Sequence, residues 1–138
     1  METIFKKDIN SLEQVQHRAT KMINEFKSYD YETRLRKCNL TSLDERRTRG
    51  DLIQVFKIVK GLDKLDFNHF FEYNNSGKTR GHKYKLIKKR CKLELRRNFF
   101  SQRVVDIWNR LPSVVVESES LNISRLDKEW KDINKVLV

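Results

Sequence analysis

Twelve basic residues crowd into Lys78–Pro112, KTRGHKYKLIKKRCKLELRRNFFSQRVVDIWNRLP, against only two acids, Glu94 and Asp106. The stretch therefore carries +10 of the chain's net +11, and the remaining residues nearly balance. So dense a run of positive charge repels itself unless something compensates. Within the same stretch the basic run turns into an apolar helical pattern that ends at Trp108 and Leu111. Any fold must therefore hold Lys78–Arg97 outward as a charged strip and use Phe99–Pro112 as the anchor that packs it to the domain.

The other segments read as helices. Ile4/Phe5, Ile9, Leu12, Val15, Ala19, Met22/Ile23 and Phe26 recur at steps of three and four and predict a packing helix over Ile4–Phe26. Glu13 and Gln16 fall on its other face, with His17 near the edge, and Asp8 offers an alternative capped start. The abrupt start suggests a lost preceding partner. Asp30 predicts the cap of a short helix whose buried side holds Tyr31, Leu35 and Cys38. Ser42 and Glu45 have capping-box spacing and predict a helix from about Leu43 to Lys60. Its stripe is Leu52, Val55/Phe56 and Val59, with Ile53 beside it, and Gly61 fits the C′ position. Gly50 inside it costs about 1 kcal/mol relative to Ala, and either allows close helix approach or is simply tolerated. Arg46, Arg47 and Arg49 form either a weaker basic patch or a solvated first turn beside Asp44, Glu45 and Asp51.

Asp66 can cap a single turn within an aromatic cluster of Phe67, Phe70, Phe71 and Tyr73, read as core cover. Asn74–Gly77 is a loop. Tyr84 and Leu86, then Cys91, Leu93 and Leu95, suggest extended segments with alternating faces and a small hairpin turning near Lys88–Arg90. A helix over about Phe99–Arg110 ends at Pro112, an irregular stretch follows, and a last helix runs from about Leu121 to Lys135 with Ser120 as its cap. Its stripe is Ile123, Leu126, Trp130, Ile133 and Leu137. The expected fold is mainly α: a small helical domain of four to five helices with a minor β-hairpin. One domain spans 1–138, with a helical half over 1–75 and the basic hairpin plus C-terminal helices over 76–138.

The chemistry expected is binding. Clustered positive charge and a pI near 9.8 imply an acidic partner, nucleic acid before an anionic membrane surface. The phosphate-facing candidates are Arg80, Lys83, Lys85, Lys88, Lys89, Arg90, Lys92, Arg96 and Arg97. Tyr84 can stack on a base, whereas Phe99 and Phe100 sit where core packing is expected. Without a recognition-helix pattern, shape and charge readout is expected over base-edge specificity. No motif supports catalysis: there is no adjacent Asp-Asp pair of the polymerase type and no nucleophile motif. Gly77-Lys78-Thr79 lacks the upstream glycine of a P-loop. His17, His69, His82, Cys38 and Cys91 lack zinc-site spacing, and His82 with Cys91 reads as an exposed histidine and a buried thiol. No cofactor is expected. Two cysteines without a repeated pattern suit free thiols in a reducing compartment. No apolar run approaches a membrane span and no signal-peptide core follows Met1, so the cytosol or nucleus is expected.

Five pieces, in this order, resemble a known family: KKDINSLEQVQHRATKMI (Lys6–Ile23), YETRLRKCNLTSLDERRTRGDLIQVFKIVKGL (Tyr31–Leu62), TRGHKYKL with RC (Thr79–Cys91), RRNFFSQRVVDIWNRLP (Arg96–Pro112) and SLNISRLDKEW (Ser120–Trp130). They are similar to the region downstream of palm and thumb in the reverse transcriptases of non-LTR (LINE-type) retrotransposons. The polymerase's paired aspartates and the endonuclease residues of that family have no counterpart here, so no catalytic residue carries over. The resemblance implies a non-catalytic accessory region that holds template RNA or target DNA beside an active site elsewhere, and Met1 just before the first matching helix suggests a truncated element. The alternatives are a structural module docking on a polymerase domain or acidic protein surface, and a decayed fragment without activity.

Overall fold

A computed structural model describes residues 2–137, and the side chains from Lys6 onward except those of residues 134, 136 and 137. It is mainly helical. In chain order the elements are α1 (Glu2–Lys21), a 3-10 turn (Asn24–Phe26), α2 (Tyr31–Lys37), α3 (Leu43–Val59), α4 (Phe67–Phe70), α5 (Glu94–Arg97), α6 (Phe100–Arg103), α7 (Val105–Arg110), α8 (Ser113–Val116) and α9 (Ile123–Leu137). The chain divides into two compact units, Met1–Thr48 and Arg49–Val138, the division falling within α3. The expected seam at 75/76 lies inside the second unit.

The first unit is fastened by polar side chains. Glu13 accepts from the Leu43 amide at 2.8 Å and from the Tyr31 hydroxyl. Gln16 donates from Nε2 to the Thr41 carbonyl at 3.0 Å and to the Tyr31 hydroxyl at 3.1 Å. Burial, then the Glu13 hydrogen bond, pushes the Tyr31 phenol above its ordinary range. Buried Arg34 donates to the Tyr29 carbonyl at 2.6 Å, to Thr20 Oγ1 at 3.2 Å and to His17 Nε2 at 3.2 Å.

These contacts use the side of α1 that the apolar periodicity assigns to solvent. The expected packing stripe stays outside: Leu12 is 62% and Val15 65% exposed, with Met22 and Ile23 also exposed. Partly burying Glu13 and Gln16 is acceptable here because each has hydrogen-bond partners. Asp8 lies inside α1 and starts no helix. The Ile4, Phe5 and Leu137 positions of the expected stripes lie outside the described side chains.

Local signals place α2 and the ends of α3. Asp30 accepts from the Thr33 amide at 3.3 Å, and its hydrogen bonds to Thr33 hold its carboxyl below the usual carboxylate range. Asn39, at φ +54°, closes α2: the Leu40 amide reaches the Leu35 carbonyl and the Asn39 amide the Arg36 carbonyl. Ser42 Oγ accepts from the Glu45 amide at 3.2 Å at the start of α3. At its end Gly61, at φ +66°, allows the same closure, with Leu62 bonding Lys57 and Gly61 bonding Ile58. Gly50 has open space where a Cβ would stand, so no close helix approach explains it.

The second unit holds the apolar core. Leu52, Val55, Phe56 and Ile58 of α3 pack with Phe71, Leu86, Val104, Val105, Trp108, Leu111, Val115, Val116, Leu126 and Trp130. Phe67, Tyr73 and Phe100 cover it, the Phe67 and Tyr73 rings stacking at 4.2 Å. Arg103 grips Asp51 with Nε and Nη2 at 2.6 and 2.9 Å, joining α6 to α3. Arg49 Nε pairs with Asp127 at 2.7 Å, joining α3 to α9.

Four expectations are corrected in this unit. The β-hairpin does not form: among the described residues there is no strand, only an isolated antiparallel bridge between Tyr73 and Leu86. Lys85 and Ile87 bond Asn74 and Glu72 instead, at 2.8 Å each, so residues 85–87 find their partner upstream and not at Cys91–Leu95. Leu93 and Leu95 are exposed, and residues 94–97 are α5. The expected helix over 99–110 breaks at Val104 into α6 and α7, and the stretch after Pro112 contains α8. The side chain at the start of α9 that accepts a backbone N–H is Asn122, bonding the Arg125 amide at 3.0 Å.

Candidate nucleic-acid interface

The charged strip is hung from the core at three points. His82 is 2% exposed and donates from Nε2 to the Trp108 carbonyl at 3.0 Å, edge-on to the indole. It is thus a core residue, contrary to the exposed histidine expected, and burial is the main cause that draws its pKa down. The Trp108 Nε1 donates to the Tyr84 carbonyl at 2.9 Å. Asn109 takes the Leu86 amide on Oδ1 at 2.8 Å and gives Nδ2 to the Leu86 carbonyl at 2.9 Å. So α7, the anchor that the sequence predicts, fixes alternate residues 82, 84 and 86 of the strip.

Between and beyond those points the basic side chains face outward. Arg80, Lys83, Lys88, Lys89, Arg90, Lys92, Arg96 and Arg97 are exposed, and Lys85 is half-buried. Gly81, at φ +110°, leaves room for the Lys85 stem: a Cβ there would lie 3.0 Å from Lys85 Cε. Glu117 accepts from the Lys83 amide at 3.0 Å, leaving its ammonium over the Tyr84 ring at 5.2 Å. Lys60 lies over the same ring at 4.7 Å. The Tyr84 ring, a stacking candidate in sequence, is thus a half-buried cation seat.

Few of the strip cations are neutralised by ion pairs. Lys88 pairs with Asp106, and Arg97 pairs with Glu94 at 3.2 Å while donating from Nε to the Cys91 carbonyl at 3.2 Å. The other seven candidates, Arg80, Lys83, Lys85, Lys89, Arg90, Lys92 and Arg96, form no ion pair among the described residues. By contrast Arg47 pairs with Asp44, and Arg49 and Arg103 with acids on other helices. Arg46 reaches Gln16 at 3.4 Å. Of the two readings the sequence leaves open, the exposed Arg47–Asp44 pair fits the solvated first turn, while Arg46 and Arg49 are taken up by Gln16 and Asp127.

The strip folds around a pocket of about 450 Å³ lined by Lys88, Lys89, Arg90, Cys91, Arg97 and Gln102. Periodicity conceals Gln102, which occupies a core-facing position of α6 yet stays polar: it is 8% exposed and its Oε1 is buried without a partner. Nearby Phe99 is exposed, where core packing was expected, while Phe100 packs edge-on against Phe70 and Phe71.

Cys38 and Cys91 are free thiols. Among the described residues no group of three or more His, Cys, Asp or Glu is placed to hold a metal ion. No helix there is long and apolar enough to cross a membrane. Comparison with protein-family models yields no match, and neither curated proteins nor solved structures yield one.

Proposed function

We propose that this chain is a non-catalytic nucleic-acid-binding module that contacts RNA or DNA phosphates through the strip Arg80–Arg97. The observation that carries the reading is the density of uncompensated charge: within Arg80–Arg97, seven of nine cations lack an acidic partner among the described residues, and only Lys88 and Arg97 have one. Unpaired, outward cations supported on a rigid anchor attract a polyanion and release its counterions on contact. The resemblance of the five sequence pieces to the C-terminal region of LINE-type reverse transcriptases supports the same reading. In that setting the module holds template or target beside a polymerase active site carried by another domain. The two free thiols fit the reducing conditions of nucleus or cytoplasm.

Fluorescence anisotropy with labelled single- and double-stranded RNA and DNA tests the proposal. Binding is expected for the native chain and is expected to weaken at least about tenfold, roughly 1.4 kcal/mol, in the Lys89→Glu/Arg90→Glu variant. Equal affinity for the two proteins refutes contact through the strip.

A second reading rests on the exposed apolar side of α1. Leu12, Val15, Ala19, Ile23, Leu40 and Leu43 line a groove of about 530 Å³ in the first unit. Such a surface suits docking on another protein domain, a polymerase domain among them. Co-elution with a separately expressed polymerase domain that survives the strip reversal and fails in Leu12→Asp supports it.

A further inference from the structure

The pocket lined by residues 88–91, Arg97 of α5 and Gln102 of α6 has a composition that the rest of the strip lacks. Its walls carry four cations, Lys88, Lys89, Arg90 and Arg97, one thiol and one amide, and no carboxylate. Glu94 and Asp106 stand behind two of those cations and partly offset Arg97 and Lys88. Arg97 is held in place by its two bonds, to Glu94 and to the Cys91 carbonyl, so its guanidinium is positioned before any ligand arrives. Gln102 is the second, independent signal. Its side chain is more than nine-tenths buried in the pocket wall with Oε1 unpartnered, and that oxygen is an acceptor that calls for a donor such as a water.

We infer that this pocket is a discrete phosphate seat, taking one phosphate group of a nucleic acid or nucleotide on Lys89, Arg90 and Arg97 with the Gln102 amide at its base. That amide reaches a phosphate oxygen through a bridging water on Oε1 or through Nε2. The inference rests on the nucleic-acid reading above and narrows it from a charged strip to one saturable site. Arginine suits the role because its planar fork can bond two phosphate oxygens at once. A volume of about 450 Å³ lies within the range of about 300–1,000 Å³ usual for small-molecule sites, so a whole nucleotide fits. The phosphate can come from a chain-internal diester or from a terminal monoester, the chemistry recognised being the same.

Cys91 lines the pocket and Cys38 lies in the other unit, so the protein carries a reporter and a control. The experiment is alkylation of the native chain by iodoacetamide, with the two cysteines followed separately by peptide mass spectrometry. It is run with inorganic phosphate, AMP, a 5′-hydroxyl oligonucleotide, its 5′-phosphorylated form, and sodium acetate at matched ionic strength. A ligand at about ten times its Kd slows reaction of an occluded thiol about tenfold by mass action. Phosphate and AMP are expected to slow Cys91 by about that factor and leave Cys38 and the acetate control unchanged. The Arg90→Gln variant, whose exposed side chain makes no ion pair, is expected to lose this protection with an unchanged melting temperature. Protection by both oligonucleotides assigns the seat to internal diesters, and protection by the phosphorylated form alone assigns it to chain ends. Oligonucleotide binding by anisotropy with Cys91 fully reactive under every ligand overturns the seat and leaves the strip reading standing. Protection by phosphate and AMP without oligonucleotide binding keeps the seat and overturns the strip reading.

Discussion

Asn109 stands in for a β-strand opposite Leu86, accepting from its amide at 2.8 Å and donating to its carbonyl at 2.9 Å. Leu86 itself is buried, and it is the residue through which the basic segment enters the core. One side chain thus satisfies two backbone groups that a hairpin partner would otherwise take.

Replacing Asn109 by Ala leaves that amide and carbonyl unpaired, and each unsatisfied buried group costs about 1–3 kcal/mol. The expected loss is about 2–6 kcal/mol in urea unfolding with an unchanged m-value. Asn109→Asp keeps the acceptor but sets a carboxylate oxygen against the Leu86 carbonyl, so a loss at least as large is expected.

Arg103 and Asp51 form a bidentate pair in which Asp51 is largely shielded, whereas Lys88 and Asp106 are both about half exposed. Charge-assisted hydrogen bonds of the first kind contribute about 1.5–3 kcal/mol, and exposed pairs about 0–1 kcal/mol. Arg103→Met is therefore expected to lower stability by at least about 1.5 kcal/mol, and Asp106→Asn to lie within about 1 kcal/mol of the native chain. Thermal and urea unfolding of the two variants checks the order.

Gly50 lies inside α3 with nothing near its missing Cβ. Gly50→Ala is expected to stabilise the protein by about 0.5–1 kcal/mol through helix propensity alone. A destabilised variant in urea titration contradicts the open environment described for it.

His82 has a folded-state pKa below its ordinary value of about 6.5, burial being the first cause. The unfolded chain then binds this proton at a higher pH than the folded chain. Stability therefore falls as pH drops through about 6.5 toward the lower folded pKa. At neutral pH both states are unprotonated there, so the contribution is flat. The melting temperature is expected to decline from pH 7.5 to pH 5.5 more steeply in the native chain than in His82→Gln, which keeps a donor for the Trp108 carbonyl. Parallel declines contradict a buried neutral His82.

Much of the helical framework is readable locally. Asp30, Ser42 and Asp66 accept from the amides of Thr33, Glu45 and Asn68, and Gly61 closes α3, because caps and C′ glycines act within a few residues of chain. The core stripe of α3 is readable for the same reason, although Ile58 joins it unannounced. The facing of α1 is not, since periodicity marks an apolar side without saying whether anything covers it; Glu13 and Gln16 find their partners 15 to 30 residues away. The alternation at Tyr84, Leu86 and Leu93 resembles a hairpin, yet Leu86 takes its partners from Tyr73 and Asn109, which no local pattern announces. In the candidate site the charged residues are legible from composition. The pocket and Gln102 are not, because they arise where residues 88–91 and α6 come together.

The central claim is that unpaired strip cations, and not positive charge in general, bind nucleic acid. The most direct measurement is the slope of log Kobs against log salt concentration for the native chain, Lys89→Gln/Arg90→Gln and the control Arg47→Gln/Arg49→Gln, each with the same single-stranded RNA. Each phosphate neutralised on a single strand contributes about −0.7 to the slope, so the strip variant is expected to be flatter by about 1.4 and the control to match the native slope. Equal flattening in both variants, or none in either, contradicts the account.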